Sequence, residues 1–277
     1  AGKAINISRT LAWMGRSSTI TGLWGADDHR QMLRSLSPLR RFVKVKCTVV
    51  PGRTRQNITI VDTAKCREIH MRFPNTLIST RTLKLLQRDL NQILTSNSYC
   101  IWAGSMGPDQ YQPQILRMLQ NCLDFKARLV VDTSGSILEQ IVSNGNICVM
   151  KPNVSELRSL LGENIADRPI SLAKAGKQLL SKVRNVLISR ADKGAILVTK
   201  DAVFRARCLN RRKKVHSTVG CGDALLAGFL YGLLSGSSKR PALRTALQVA
   251  TAKAWDLTDS LTWNQARKRI KVDVQSV

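Results

Sequence analysis

A loop with two glycines that runs straight into an apolar helix constrains this chain more than any other feature. Residues 217–223 read Ser-Thr-Val-Gly-Cys-Gly-Asp, and Ala-Leu-Leu-Ala-Gly-Phe-Leu-Tyr-Gly-Leu-Leu follows, ending at Leu234. That run lacks β-branched residues, which predicts a buried helix. Glycines at its mouth let the backbone turn tightly and let an anion approach the N–H groups. The unpaired amides of a first turn, with the positive end of the helix dipole, form an anion site. A carboxylate at Asp223 would repel bound phosphate oxygens, so it serves better as a base taking a proton from an attacking hydroxyl. The plainer alternative is that Asp223 only caps the helix and the glycines only turn the chain.

The rest of the chain reads as alternating strands and helices, the rhythm of a parallel α/β sheet. Ile7, Leu11 and Met14 predict a helix closed by Gly15, and Ser18–Gly25 predicts a short strand and turn. Helices are predicted over residues 28–36, 81–94, 241–256 and 263–270, and another ends at Leu119. Tyr99–Ala103, Ala127–Asp132, Asn146–Met150 and Val186–Ser189 read as strands, with Gly194–Val198 as a hairpin partner of the last. Asp132-Thr133-Ser134-Gly135 closes one strand, where α/β sheets bind ligands. Residues 43–50 and 56–62 read as a hairpin over Pro51-Gly52, with a further strand at 67–73. Within that small sheet, Arg53-Thr54-Arg55-Gln56-Asn57 offers two guanidiniums suited to gripping a phosphate. Asn153 followed by Glu156 has the spacing of a capping box.

Several of these segments together resemble the ribokinase-like (PfkB) carbohydrate kinases, over residues 1 to about 256 and in the family's order. Thr-Val-Gly-Cys-Gly-Asp-Ala-Leu-Leu-Ala-Gly-Phe is similar to the family's C-terminal signature, with Cys221 where alanine is usual. The resemblance implies an anion hole from Gly220, Cys221 and Gly222 with Asp223 as catalytic base. It also implies nucleotide contacts from Lys151, Ser189, Ala191, Gly194, Ser217, Thr218 and Val219. Ala191 replaces a glycine of the family's Ser-Leu-Gly-x-x-Gly. Asn153 and Glu156 match the Asn-x-x-Glu motif that handles magnesium through water. The opening Ala1-Gly2-Lys3-Ala4-Ile5-Asn6 is similar to Gly-Gly-Lys-Gly-x-Asn, so Gly2, Lys3 and Asn6 are implied acceptor contacts, as is Ser105.

Thr54-Arg55-Gln56-Asn57 is typical of the hexose-phosphate branch, which makes Arg55 the implied holder of the acceptor's phosphate. Lys3 matches the 1-phosphofructokinase subgroup. The implied fold is one three-layer α/β/α sandwich over residues 1–277, with a β lid inserted at about 42–73. The family's first strand and its Asn-Pro-Ala-x-Asp-like segment are not found among these residues and are expected upstream of Ala1. The implied reaction is ATP-dependent phosphorylation of a sugar phosphate: fructose 1-phosphate first, fructose 6-phosphate or tagatose 6-phosphate as alternatives. A homodimer through the lid is the implied assembly.

Charge opens a rival reading. Lys and Arg number 44 against 18 Asp and Glu, a formal net charge of +26. Basic runs at 40–46, 205–214 and 267–271 suit a polyanion such as nucleic acid, and a non-catalytic kinase relative in a ribonucleoprotein would carry them. Aromatics are only 5% of residues and do not interleave with the basic runs, so a base-stacking platform is disfavoured. Seven scattered cysteines without zinc spacing point to a reducing, cytoplasmic setting. No apolar run approaches the roughly 18 residues that span a membrane.

Overall fold

The computed structural model describes residues 2–62, 67–71, 73–210, 215 and 217–277. Ala1, Cys66 and the Arg211-Arg212-Lys213-Lys214 run lie outside the described residues. In chain order the elements are α1 (Lys3–Trp13), β1 (Ser18–Ile20), β2 (Leu23–Gly25), α2 (Ala26–Leu36), β3 (Val43–Val45), β4 (Thr48–Val50), β5 (Ile58–Asp62) and β6 (Arg67–Met71). Next come α3 (Thr80–Asn91), β7 (Tyr99–Ala103), α4 (Gln112–Asp124), β8 (Arg128–Asp132), α5 (Ser136–Asn144), β9 (Ile147–Met150), α6 (Val154–Leu161), α7 (Pro169–Gln178) and β10 (Asn185–Ser189). The chain closes with β11 (Ala195–Thr199), β12 (Val203–Cys208), α8 (Cys221–Leu234), α9 (Lys239–Ala254), α10 (Trp263–Arg269) and β13 (Val272–Ser276).

A seven-stranded sheet in the order β13-β12-β11-β10-β9-β8-β7 forms the middle layer. β7 through β10 pair in parallel, and β10 through β13 pair antiparallel. Successive strand residues face opposite sides, and the two cores sort accordingly. Leu129, Val131, Val186, Ile188, Ile196 and Val198 pack with α3, α4, α5, α6 and α7. Val130, Leu187 and Leu197 pack with α1, α8, α9 and α10. Strands buried on both faces cannot alternate polar and apolar residues, which explains the continuous apolar runs at 129–131, 186–188 and 195–198. The three-layer α/β/α sandwich expected from the sequence is therefore present.

The region before α3 departs from expectation. Instead of a hairpin over Pro51-Gly52, β3 and β4 pair in parallel with β1 and β2. Each of those strands is three residues long, too short for alternation to specify a partner. The antiparallel hairpin is β5 with β6. The first helix begins at Lys3 rather than Ile7, which puts Lys3 and Asn6 on its first turn. α5, α7, β12 and β13 were not foreseen from the sequence. β12 carries Arg205 and Arg207, so its charge obscured its strand pattern.

Candidate active site

Four parallel strands deliver their carboxyl ends to one edge of the sheet. β7 leads into Gly104 and Ser105, β8 ends on Asp132, β9 leads into Lys151, and β10 ends on Ser189. Gly104 N–H donates to the Asp132 carbonyl (3.0 Å) and Thr133 Oγ1 to the Gly104 carbonyl (2.7 Å), which ties the Ser105 loop to the end of β8. Ser105 itself is exposed.

Asp132 is 1% exposed and holds two lysines. Lys3 Nζ lies 2.7 Å from Asp132 Oδ1, and Lys151 Nζ lies 3.4 Å from the same oxygen. Asp132 Oδ2 is buried and accepts no hydrogen bond from the described residues. Burial opposes the Lys3 charge, but the Asp132 charge and hydrogen bond, with lesser help from Glu156 and Asp223, hold the ammonium above its ordinary value. Asp132 is thus a functional candidate that the motifs did not name. Its only sequence signal was an acid at the carboxyl end of an apolar strand.

Asp223 faces this cluster from the first turn of α8. Gly220 caps the helix with φ 78 and ψ 0, a left-handed conformation that glycine adopts without strain. The cap position is Gly220, so Asp223, three residues further on, is not the cap. Its carboxylate is 6% exposed, and its Oδ2 accepts a hydrogen bond from Asn6 Nδ2 (2.8 Å). Burial pushes its pKa above the ordinary 3.8, the Asn6 hydrogen bond pulls it back, Asp132 adds to the rise, and Lys3 and Lys151 oppose it. A Cβ placed on Gly222 would lie 3.4 Å from Lys151 Nζ, which sets that ammonium beside the glycine loop.

Of the three amides expected to form the anion hole, Cys221 N–H already donates to the Thr218 carbonyl (3.2 Å). Among the described residues no backbone acceptor takes the N–H of Gly220 or Gly222. Val219 N–H donates to Ser217 Oγ (3.1 Å), so the approach to the loop is internally braced. Gly2 is the exposed N-cap of α1 and contributes its carbonyl to Asn6 N–H (2.9 Å).

Asn153 and Glu156 form the capping box foreseen in the sequence. Asn153 Oδ1 accepts from Glu156 N–H (2.8 Å), and Glu156 Oε2 accepts from Asn153 N–H (2.9 Å). Ser189 joins them through its N–H to the Pro152 carbonyl (3.0 Å) and a bridge to Asn153. The adjoining turn has Ala191 at φ 48, left-handed for a residue with a Cβ. Gly194, at φ 91, could not carry one, because it would meet the Ala206 carbonyl oxygen at 2.1 Å. Asp167 clamps this turn, accepting from Arg190 Nε (2.7 Å) and Lys193 Nζ (2.6 Å).

Arg55 stands apart. It is half-buried in the 53–57 loop, which Thr54 anchors to α2 through Asp28 Oδ1 (3.0 Å). No described contact joins Arg55 to the Asp223 cluster. The structure therefore gathers Lys3, Asn6, Asp132, Lys151 and Asp223 around the glycine loop. Asn153, Glu156 and Ser189 form an adjacent group, and Arg55 lies in the loop before the β5–β6 hairpin.

The profile of the pfkB family carbohydrate kinases matches residues 1–255. A 1-phosphofructokinase of Borreliella burgdorferi is 32% identical over 91% of this chain and 80% of its own length. The ATP-dependent 6-phosphofructokinase isozyme 2 of Escherichia coli is 23% identical over 91% of this chain and 80% of its own. In fold, the chain superposes on phosphofructokinase-2 from Escherichia coli in complex with fructose-6-phosphate, with a TM-score of 0.84 at 22% identity, covering 96% of this chain and 84% of that one.

Proposed function

Because this chain belongs to the pfkB family of carbohydrate kinases, we propose that it transfers the γ-phosphoryl group of ATP to a sugar phosphate, with fructose 1-phosphate as the acceptor. The observation that carries the reaction type is Asp223: a buried carboxylate, hydrogen-bonded by a neutral amide, in the first turn of a helix that opens on two glycines. The 32% identity to a 1-phosphofructokinase over most of both chains favours fructose 1-phosphate. Fructose 6-phosphate and tagatose 6-phosphate are the alternatives.

In this reaction Asp223 takes the proton of the acceptor hydroxyl while that oxygen bonds to the γ-phosphorus. The bond from phosphorus to the bridging oxygen breaks, and ADP leaves. Asn6 orients the carboxylate. The amides of Gly220 and Gly222, with Lys151 beside them, face the charge of the moving group. Asp132 keeps Lys3 and Lys151 at fixed positions, so little reorganisation is needed. Arg55 holds the acceptor's existing phosphate from the lid side, and Ser189, Ala191, Gly194 and Ser217–Val219 border the nucleotide.

Magnesium would supply charge neutralisation on the phosphates when bound. Among the described residues no group of three or more acids, histidines or cysteines could hold a metal alone. That fits magnesium, which one or two carboxylates and substrate phosphates commonly hold together with water. Asn153 and Glu156 would hold it through water, and Asp132 Oδ2, which has no hydrogen-bond partner among the described residues, is a further oxygen at hand.

The lid gives a surface for a homodimer. Ile58 pairs with Met71 and Ile60 with Ile69, and these four side chains are 38–61% exposed on one face of the hairpin. An apolar face of this kind suits a second copy, and Ile60→Asp should shift sedimentation from dimer to monomer. The reaction is tested by coupled ADP release with the three hexose phosphates. Turnover highest on fructose 1-phosphate supports the proposal, and no turnover on any of them refutes it.

A further inference from the structure

Ser189 ends β10, and the chain makes one tight turn over Ala191–Lys193 before β11. Ala191 sits in that turn at φ 48, a left-handed conformation that brings its Cβ too close to the following carbonyl oxygen. Packing does not impose this conformation, because Ala191, Asp192 and Lys193 are all exposed. Backbone strain of this kind persists only where the surroundings over-determine it. Here the chain on either side of Ala191 does so. Gly194 is seated against the Ala206 carbonyl and takes the Arg190 N–H on its own carbonyl (2.9 Å). Arg190 and Lys193, which bracket Ala191 and Asp192 in sequence, both reach one carboxylate, that of Asp167.

Each oxygen of Asp167 holds one side of the turn. Oδ1 accepts from Arg190 Nε (2.7 Å) and Oδ2 from Lys193 Nζ (2.6 Å), and Arg190 Nη2 donates to the Asp167 carbonyl (3.1 Å). The Arg190 side chain is only 6% exposed. Asp167 is itself fixed from outside the turn. Arg158 Nε donates to the carbonyl of the buried Ile165 (2.8 Å), and Arg168 N–H donates to the Ala166 carbonyl (2.8 Å). A buried ion pair adds little net stability, and its better-attested use is to specify one arrangement of the chain.

We propose that Asp167 is a positioning residue for nucleotide binding. Through Arg190 and Lys193 it keeps Ala191 left-handed before ATP arrives, so ATP meets a turn that is already set and need not be reshaped on binding. This role rests on the reading of residues 189–194 as a border of the nucleotide.

The test is calorimetric titration of the whole chain with the non-hydrolysable ATP analogue adenylyl imidodiphosphate in magnesium buffer, beside hydrogen exchange of the 189–194 amides. The analogue should slow exchange across the turn in the wild type. Asp167→Asn should weaken binding by about five- to thirtyfold, the factor that corresponds to a left-handed residue with a Cβ. Glycine adopts that conformation without strain, so in an Ala191→Gly background the same substitution should weaken binding by no more than about twofold. A clamp that merely stabilised the fold would give the same factor in both backgrounds. Lys193→Met, which removes only the 57%-exposed arm of the clamp, should show the same pattern and keeps the test open if Asp167→Asn does not fold. Binding without slowed exchange at 189–194 overturns the reading of the turn, and this role with it. Slowed exchange with unchanged affinity in the clamp variants, or an equal loss in both backgrounds, overturns the role of Asp167 alone.

Discussion

Asp132 at the end of β8 and Asp223 at the start of α8 are both buried at the same edge of the sheet, yet their surroundings differ in kind. Asp132 has two ammonium groups on one oxygen. Asp223 has a neutral amide. The Asp132 carboxylate is committed to holding two ammonium groups in place. A carboxylate that is desolvated and only hydrogen-bonded has its proton affinity raised, which suits a base. In the proposed reaction the two acids thus divide the work: one fixes charge in place, and the other moves a proton.

Substitution separates them. Asp223→Asn should lower turnover by about 10²–10⁴-fold, the span of a general base. Its stability should not fall. The folded pKa of Asp223 is raised, so ionisation opposes folding as pH rises through the window from the ordinary 3.8 to the raised value. An uncharged residue escapes that cost at neutral pH. Asp132→Asn should instead lower the melting temperature by several degrees. Removing one partner of a buried ion pair costs about 3–5 kcal/mol, reduced here because the Lys3 side chain is 34% exposed. If Asp132→Asn melts as the wild type does while Asp223→Asn unfolds early, the division of roles is reversed.

Arg55→Ala should weaken the phosphorylated acceptor by about 10- to 100-fold, the value of a charge-assisted contact, and leave ATP affinity nearly unchanged. Loss of ATP affinity in steady-state kinetics would place the 53–57 loop on the nucleotide side. The smallest effect belongs to Ala191. Its left-handed φ of 48 is unfavourable for a residue with a Cβ, so Ala191→Gly should stabilise the fold by up to about 1 kcal/mol, read by denaturant unfolding.

The contrast between the acids also marks what could be read before the structure. Asp223 sits in a local signature, seven residues followed by an apolar helix, and so do Asn153 and Glu156. The parallel strands were legible because burial on both faces leaves uninterrupted apolar runs. Asp132 was visible only as the end of such a run. The part proposed for it comes from Lys3, 129 positions away in sequence, and from Lys151, just past the end of the neighbouring strand β9. The three-residue strands β1 to β4 carried too little pattern to reveal their partners, and β12 was hidden by its arginines.

The most direct test of Asp223 as the titrating base is the acid limb of kcat/KM for phosphorylation of fructose 1-phosphate, compared between wild type and Asn6→Ala. Only the ionised carboxylate accepts the proton, so the rate falls as pH drops through the raised pKa of Asp223. Asn6 stabilises the ionised form through its hydrogen bond. Its removal should move the acid limb to higher pH. An acid limb at the same pH in both proteins would contradict Asp223 as the base.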